Sequence, residues 1–202
     1  VFEVARINPK MLEEARRAGR YEPLVARRFE RCLLISEADV AALGSPRPPN
    51  VVVNPHGVDF DYFRPSGAEP EEGRIVFTGN MAYPPNRDAA EWFVSEIFSQ
   101  VCREVPGARL SIVGADPPAA WRRLAADPAI EVTGRVPDLR DYLARAAVGI
   151  DPLRVGAGLQ NKVLEGMAMG LPMVLTSVAN EGIGAVDGEE VILADDPRDF
   201  AA

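Results

Sequence analysis

Short apolar runs recur along the chain after residue 50, and the stretches between them have a different periodicity. The runs are rich in β-branched residues and nearly continuous rather than alternating. That pattern is typical of strands buried on both faces of a parallel sheet. The predicted strands cover residues 51–53, 75–78, 110–113, 130–133, 148–150, 173–176 and 191–193.

Helical patterns fill the intervals between these runs. In the longest, 87–104, the apolar residues lie on one stripe at helical spacing: Ala90, Phe93, Ile97, Phe98 and Val101. Shorter helices are predicted at 121–126, 139–146 and 161–169, and a last one begins after Asp196. Strands that alternate with helices predict an α/β fold, with a doubly wound, mostly parallel sheet in a domain of residues 51–202.

Residues 1–50 have a different pattern. A helix is predicted from Pro9 to about residue 31, a strand at 32–35, and a helix at 37–43 with Ser36 as its N-cap. One helix, one strand and one helix cannot enclose a core, and the Pro-rich stretch 45–49 is typical of a connector. We therefore expect residues 1–50 to be the remnant of a preceding domain with its linker. We also expect an exposed apolar face there that allows self-association, and a truncation at the C-terminal end.

The composition argues against several classes of protein. The 202 residues include 22 basic and 30 acidic side chains, for a net charge of −8, and 47% are hydrophobic. This is a globular composition without a membrane helix, which would need about 20 consecutive apolar residues. The acidic balance argues against a nucleic-acid partner. Cys32 and Cys102 are too few for a disulfide framework or a Cys-based zinc site, so a reducing, cytoplasmic compartment is the expectation.

Glycines follow three of the predicted strands. Gly79, Gly114 and Gly134 stand at strand ends, where ligands bind in open α/β sheets. Each glycine serves either a tight turn or the close approach of backbone to a ligand, and three at equivalent places favour the ligand.

The segment 151–172 combines glycines with charged residues that are typical of a ligand-binding site. A strand leads through Gly156 and Gly158 into a helix, whose N-terminus favours anions. Arg154 and Lys162 add positive charge, and Glu165 follows Lys162 at i+3, on the same side of the helix. A carboxylate beside a phosphate needs other donors, such as sugar hydroxyls. The segment therefore predicts a ligand that has both phosphate and hydroxyl groups.

Two common phosphate motifs are excluded. A dinucleotide fingerprint would need a third glycine where Asn161 stands, and the chain has no G-x-x-x-x-G-K-[ST] sequence.

Four motifs in order resemble those of the C-terminal, donor-binding domain of a group 1 (family-4, retaining) glycosyltransferase of GT-B fold. The most specific is 162–174, K-V-L-E-G-M-A-M-G-L-P-M-V; the others are N-P-H-G-V-D…F-R-P at 54–65, F-T-G-N-M-A-Y-P-P-N at 77–86, and V-T-G-R-V at 132–136. The resemblance covers nearly the whole chain. It implies a Rossmann-like half of a GT-B fold, with residues 1–50 as a remnant of the N-terminal domain.

The resemblance also assigns residues to a nucleotide-sugar donor. Glu165 matches the second glutamate of the family's E-x7-E motif, which binds the ribose, whereas Ala157 replaces the first, which contacts the donor sugar. The backbone of Gly158, Leu159 and Gln160, with the flanking Gly156 and Asn161, falls where amides meet the diphosphate or the sugar.

Other positions depart from the family's pattern. Gly79-Asn80 stands where many members have Gly-Arg, and Asn86 where a lysine is common. Both departures remove positive charge, which Arg154 and Lys162 supply in the resulting hypothesis. The base is expected to pack against the stretch that follows a strand, at Arg135, Val136 and Leu139.

The function implied is transfer of a hexose, with retention of configuration, from a nucleoside-diphosphate sugar to an unnamed acceptor in polysaccharide biosynthesis. Arg154 and Lys162 would be catalytic by stabilising charge on the leaving diphosphate. No metal and no cofactor beyond the donor is expected. The sole histidine, His56, is interpreted as a turn residue rather than an acid/base catalyst.

Two alternatives stay open: a GT-B-fold sugar-nucleotide epimerase, and a non-catalytic module that binds sugar nucleotides. The expected partners are the nucleotide sugar and the missing N-terminal domain, without which the chain is expected to be inactive. The full-length protein is expected in the cytoplasm, with a peripheral position at the inner membrane face left open.

Overall fold

The computed structural model describes residues 9–156 and 158–202. The chain divides into two compact units, one reaching to His56 and one comprising Gly57–Ala202. The division falls six residues after the predicted one.

The described part of the first unit contains two helices and two short strands. They are α1 (Pro9–Ala26), β1 (Cys32–Leu34), α2 (Glu37–Ala42) and β2 (Val51–Val53). The predicted cap of α2 is confirmed, because the Asp39 N–H donates to Ser36 Oγ at 3.1 Å. The small core of the first unit consists of Ala26, Val40, Leu43 and Val51. The predicted apolar exposure is also present, with Tyr21, Leu24, Phe29 and Leu33 all exposed.

The prediction that residues 51–53 begin the larger sheet is wrong. β2 pairs in parallel with β1, with Val51 opposite Cys32. The Asn50 side-chain amide donates to the backbone oxygens of Ala26 and Phe29, at 2.7 and 2.8 Å, and fixes the chain just before β2. A run of three valines is compatible with either sheet, so its partner depends on contacts such as these.

The second unit contains a six-stranded, entirely parallel sheet. Its strands are β3 (Arg74–Thr78), β4 (Arg109–Val113), β5 (Ile130–Gly134), β6 (Val148–Asp151), β7 (Met173–Leu175) and β8 (Ile192–Leu193). Their order is β5-β4-β3-β6-β7-β8. This order confirms the predicted doubly wound α/β fold, because the chain builds outward from β3 and then from β6 in the opposite direction.

The longest predicted helix forms as one continuous run with an irregular centre. It comprises α3 (Pro84–Trp92), a π-helical segment (Phe93–Ile97) and α4 (Phe98–Glu104). The predicted stripe faces the core: Ala90, Phe93, Ile97 and Phe98 are buried and Val101 is half-buried. The apolar periodicity therefore located the buried face correctly across the π-helical segment.

Shorter helices complete the second unit. They are a 3₁₀ helix (Ala119–Ala126), α5 (Arg140–Arg145), α6 (Asn161–Ala168), α7 (Ser177–Asn180) and α8 (Pro197–Ala201). The sequence did not predict α7. Thr176, expected to end a strand, instead caps this helix by accepting a hydrogen bond from the Ala179 N–H at 3.2 Å.

No helix in the described part of the chain has the length and apolar character of a bilayer-spanning segment.

Candidate functional site

The sheet reverses its order between β3 and β6, and this pair defines the candidate site. Ligands of open α/β sheets bind beyond the carboxyl ends of the strands at such a reversal. The segment after β3 begins with Gly79 and Asn80, and the segment after β6 leads through the glycine loop, residues 156–160, into α6. The topology thus brings the two predicted phosphate-site segments to one edge of the sheet.

The strand-end glycines are required by close approaches between backbone and neighbouring groups. A Cβ on Gly114 would lie 1.8 Å from the Gly79 carbonyl oxygen, and one on Gly79 would lie 2.7 Å from Asn86 Nδ2. The Gly114 N–H donates to the Gly134 oxygen at 3.1 Å. These three glycines therefore form a continuous backbone edge, and protein atoms occupy the space that side chains at Gly79 and Gly114 would need.

A polar network crosses from β6 to the segment after β3. Lys162 Nζ donates to Asn86 Oδ1 at 2.8 Å, and Asn86 Nδ2 donates to the Asn80 backbone oxygen at 3.0 Å. Lys162 Nζ also lies 3.2 Å from Asp151 Oδ1 and 5.3 Å from the centre of the Phe77 ring. The single lysine of α6 thus contacts Asn86, the residue that stands where a lysine is common in the family's pattern.

Burial shifts the charge equilibria of the central pair. Asp151 has no exposed surface, and neither carboxylate oxygen accepts a hydrogen bond of good geometry from the described residues. Burial raises the pKa of Asp151 to about 6, an effect that the charge of Lys162 partly offsets. Burial also lowers the pKa of Lys162, and the Asp151 carboxylate opposes that change.

Arg154 lies against α3 rather than standing free beside the glycine loop. Its guanidinium binds Asp88 through two hydrogen bonds, with Nε 3.0 Å from Oδ2, and lies 5.4 Å from the Trp92 ring centre. The charge of Arg154 is therefore already paired with that of Asp88, although its side chain remains 42% exposed.

Glu165 is half-buried on α6, and its carboxylate makes no ion pair or hydrogen bond with the described residues. Burial raises its pKa. The acidic partner of Lys162 is Asp151 and not this i+3 neighbour. Glu165 thus keeps its acceptor capacity.

The glycine loop leads to an uncapped helix. Gln160 is the N-cap of α6, and its side chain makes no capping hydrogen bond, so the first turn keeps backbone donors free of a side-chain cap. Gly158 has the left-handed φ of 79°, and Leu159 beside it is half-buried. Asn161 begins the helix with its side chain exposed. The predicted consequence of Ala157 concerns a position outside the described residues.

The predicted base-binding stretch lies at the far end of the same edge. Arg135 is exposed, while Val136 and Leu139 are partly buried against the core. They follow β5, two strands from β3, or about 10 Å along the edge at the usual strand spacing. The structure therefore places them two strands away from the segment that follows β3. His56 belongs to the first unit and is exposed.

Comparisons with known proteins agree with this architecture. The sequence profile of the family described as "Glycosyl transferases group 1" matches residues 72–202. The chain belongs to this glycosyltransferase family. The predicted family resemblance is thereby confirmed.

Individual proteins match the chain more widely at low identity. A protein of Klebsiella pneumoniae named "Uncharacterized 44.6 kDa protein in cps region" is 26% identical over 183 residues, 86% of this chain and 46% of that protein. HepE from Anabaena, solved with UDP, has a TM-score of 0.74 at 14% identity, over 96% of this chain and 58% of HepE.

Sucrose-phosphate synthase from Thermosynechococcus elongatus has a TM-score of 0.72 at 19% identity, over 100% of this chain and 53% of that chain. The glycosyltransferase chain thus spans about half the length of these relatives. The structural matches confirm the predicted fold.

Sequence reasoning missed two acidic residues of this candidate site. The sequence analysis gave no role to Asp151 or Asp88, yet they pair with Lys162 and Arg154 respectively. The sequence contained one signal for Asp151, because this charged residue directly follows the apolar run 148–150 that predicts a buried strand.

A further surface hollow lies elsewhere in the second unit. It has a volume of about 670 Å³ and includes Tyr62, Arg64, Asp138, Arg140 and Arg145 in its lining. Arg140 lies 3.9 Å from the Tyr62 ring centre and binds Asp138, which lowers the pKa of that carboxyl. None of the predicted site residues lines this hollow.

Proposed function

We propose that this chain is the donor-binding half of a retaining glycosyltransferase, which moves a hexose from a nucleoside-diphosphate sugar to an acceptor. The observation that carries the proposal is the meeting of Lys162, Asn86 and the strand-end glycines at the reversal between β3 and β6. Family membership supports it, and so does HepE, which was solved with UDP and glucose.

The diphosphate fits the Lys162 end of this edge. Breaking the bond between sugar and diphosphate leaves negative charge on the leaving oxygen, and the Lys162 ammonium and the uncapped first turn of α6 supply positive charge. Because these groups are fixed before the reaction, they stabilise the transition state without reorganising. No step of this proposal requires a metal or a further cofactor.

Arg154 would act from the rim of this site. Its guanidinium has five donors, of which the two-bond contact with Asp88 uses two. The remaining donors can bind a phosphate oxygen while Asp88 and Trp92 hold the side chain in place. In this arrangement Arg154 is positioned by α3.

The nucleoside would extend from Lys162 toward β5. Glu165, half-buried and without a protein partner in the described chain, suits the ribose hydroxyls, and Arg135, Val136 and Leu139 suit the base. The glycine loop would hold the sugar or diphosphate through its backbone donors. The cps-region relative favours an acceptor in polysaccharide biosynthesis, with the protein in the cytoplasm or at the inner membrane face.

Calorimetric titration with UDP, GDP and ADP tests the proposal. We expect one diphosphate to bind, and Lys162→Met and Glu165→Gln each to weaken that binding about 10- to 100-fold, since each removes hydrogen bonds to a charged group. Arg103→Gln and Glu96→Gln, both exposed on the long helix, are the matched controls and should bind normally. No binding at millimolar nucleotide, or equal loss in the controls, would count against the proposal.

A further inference from the structure

The Lys162 ammonium has one donor more than its protein partners use. An ammonium carries three N–H donors. One is given to Asn86 Oδ1 at 2.8 Å, and the ammonium forms an ion pair with Asp151 Oδ1 at 3.2 Å. The side chain is only 12% exposed. Two fixed contacts on a buried ammonium leave one N–H for a ligand.

Among the described residues, the ion pair with Lys162 is the one evident role of the Asp151 side chain. Its side chain is fully buried at the end of β6, and its oxygens accept no well-aligned hydrogen bond among the described residues. Buried polar groups are normally satisfied, so an unsatisfied buried carboxylate calls for an explanation. Its sole ion-pair partner in the described chain is Lys162.

Other charged groups near Lys162 do not replace Asp151. Arg154 and Asp88 neutralise each other, and Asn86 and the Phe77 ring carry no net charge. Glu165 lies three residues along the same helix and makes no ion pair with Lys162. The counter-charge of the buried ammonium therefore comes from β6.

We propose that Asp151 is a positioning residue for donor binding: its buried carboxylate keeps the Lys162 ammonium charged and held against Asn86, with one N–H left for a diphosphate oxygen. The diphosphate part of this inference rests on the proposed function. The coupling between Asp151 and Lys162 belongs to the free protein and does not need a ligand.

The effect of Asp151 on Lys162 follows from the free-energy cost of burying a charged ammonium. An ammonium away from water loses its proton more easily, whereas a carboxylate within 4 Å favours the charged form. Replacing Asp151 by the neutral, similarly shaped Asn removes this second effect and keeps the volume. Lys162 should then lose its proton at lower pH, and with it the charge that attracts a diphosphate.

Lysine NMR measures this coupling directly, because Lys10 and Lys162 are the only two lysines of the chain. The protein would be labelled with ¹³C,¹⁵N-lysine, and Lys162→Met would assign the signals. We expect the Lys162 titration midpoint to fall by about one pH unit or more in Asp151→Asn. Asp199→Asn, an exposed aspartate on α8, should leave it unchanged.

An unchanged Lys162 midpoint in Asp151→Asn would overturn the proposal. If that variant does not fold, Asp151→Ser makes the same substitution of charge with a smaller side chain and carries the same expectation.

UDP titrations at several pH values separate this inference from the proposed function. We expect the affinity of Asp151→Asn to begin falling about one pH unit below that of the wild type. Wild-type binding with identical pH profiles would overturn the positioning role and leave the proposed function standing. A lowered Lys162 midpoint without nucleotide binding by the wild type would confirm the coupling and overturn its assignment to the donor.

Discussion

Charge pairing at single residues distinguishes this candidate site from a simple cluster of cations. Lys162 and Arg154, the two predicted phosphate ligands, each face an aspartate. The two pairs differ in burial, since Asp151 is fully buried and the Arg154 pair is partly exposed. A buried pair resists screening by salt and an exposed pair does not. Lys162 is therefore the more robust anchor for an anion.

Burial of Asp151 should make stability depend on pH. Its pKa is raised from 3.8 to about 6 on folding, so the folded state binds more protons than the unfolded state between these values. The contribution of Asp151 to the free energy of unfolding should thus fall by about 3 kcal/mol as pH rises through that window. Urea unfolding of wild type and Asp151→Asn at pH 4 to 7 checks this. A stability difference that stays constant would contradict it.

Packing between elements fixes the glycine loop. A Cβ on Gly182, which follows α7, would lie 2.5 Å from the Gly158 oxygen and 2.8 Å from Leu159 Cα. A Cβ on Gly166 of α6 would lie 2.7 Å from Met173 Sδ on β7. The loop is therefore held by backbone contact on one side, and its helix lies close against the sheet on the other.

The variant Gly182→Ala tests this packing. Because the added methyl meets backbone atoms, which cannot rotate away, we expect a loss of about 1–3 kcal/mol in the free energy of unfolding. We also expect weaker nucleotide binding through the displaced loop. Gly57→Ala, where a Cβ would meet nothing within 4 Å, is the control for thermal melts and titrations. Equal melting temperatures for the two variants would argue against the contact.

At the scale of the molecule, the candidate site is confined to the second unit. All its described residues lie within Gly57–Ala202, and the family profile starts at residue 72. The fold places the residues predicted to bind phosphate, ribose and base along one edge, from β6 to β5. Nucleotide binding should consequently be a property of this unit.

Ligands should stabilise the chain by mass action. For a nucleotide at 100 times its Kd, the free energy of unfolding rises by about 2.7 kcal/mol. A thermal-shift panel of nucleoside diphosphates and their sugars should therefore single out one base, and Lys162→Met should reduce the shift to half or less. A panel that shows the same shift for every nucleotide, or for none, would contradict a specific donor site.

The sequence determined the sheet, the long helix and the family. Apolar runs of β-branched residues and a helical stripe depend on local periodicity, which survives in any folded context. They located all six strands of the large sheet to within one residue at each end. The motif 162–174 likewise placed Lys162 and Glu165 on one helix.

Tertiary structure alone decided which groups meet. The valines of β2 could have joined either sheet, and Thr176 could have ended a strand or capped a helix. The tertiary structure also decided that Asp151 pairs with Lys162. Asp88 and Arg154 are 66 residues apart, and no local pattern relates them. Periodicity reports the environment of each residue, whereas the charge state of a site depends on which residues the fold places within a few ångströms.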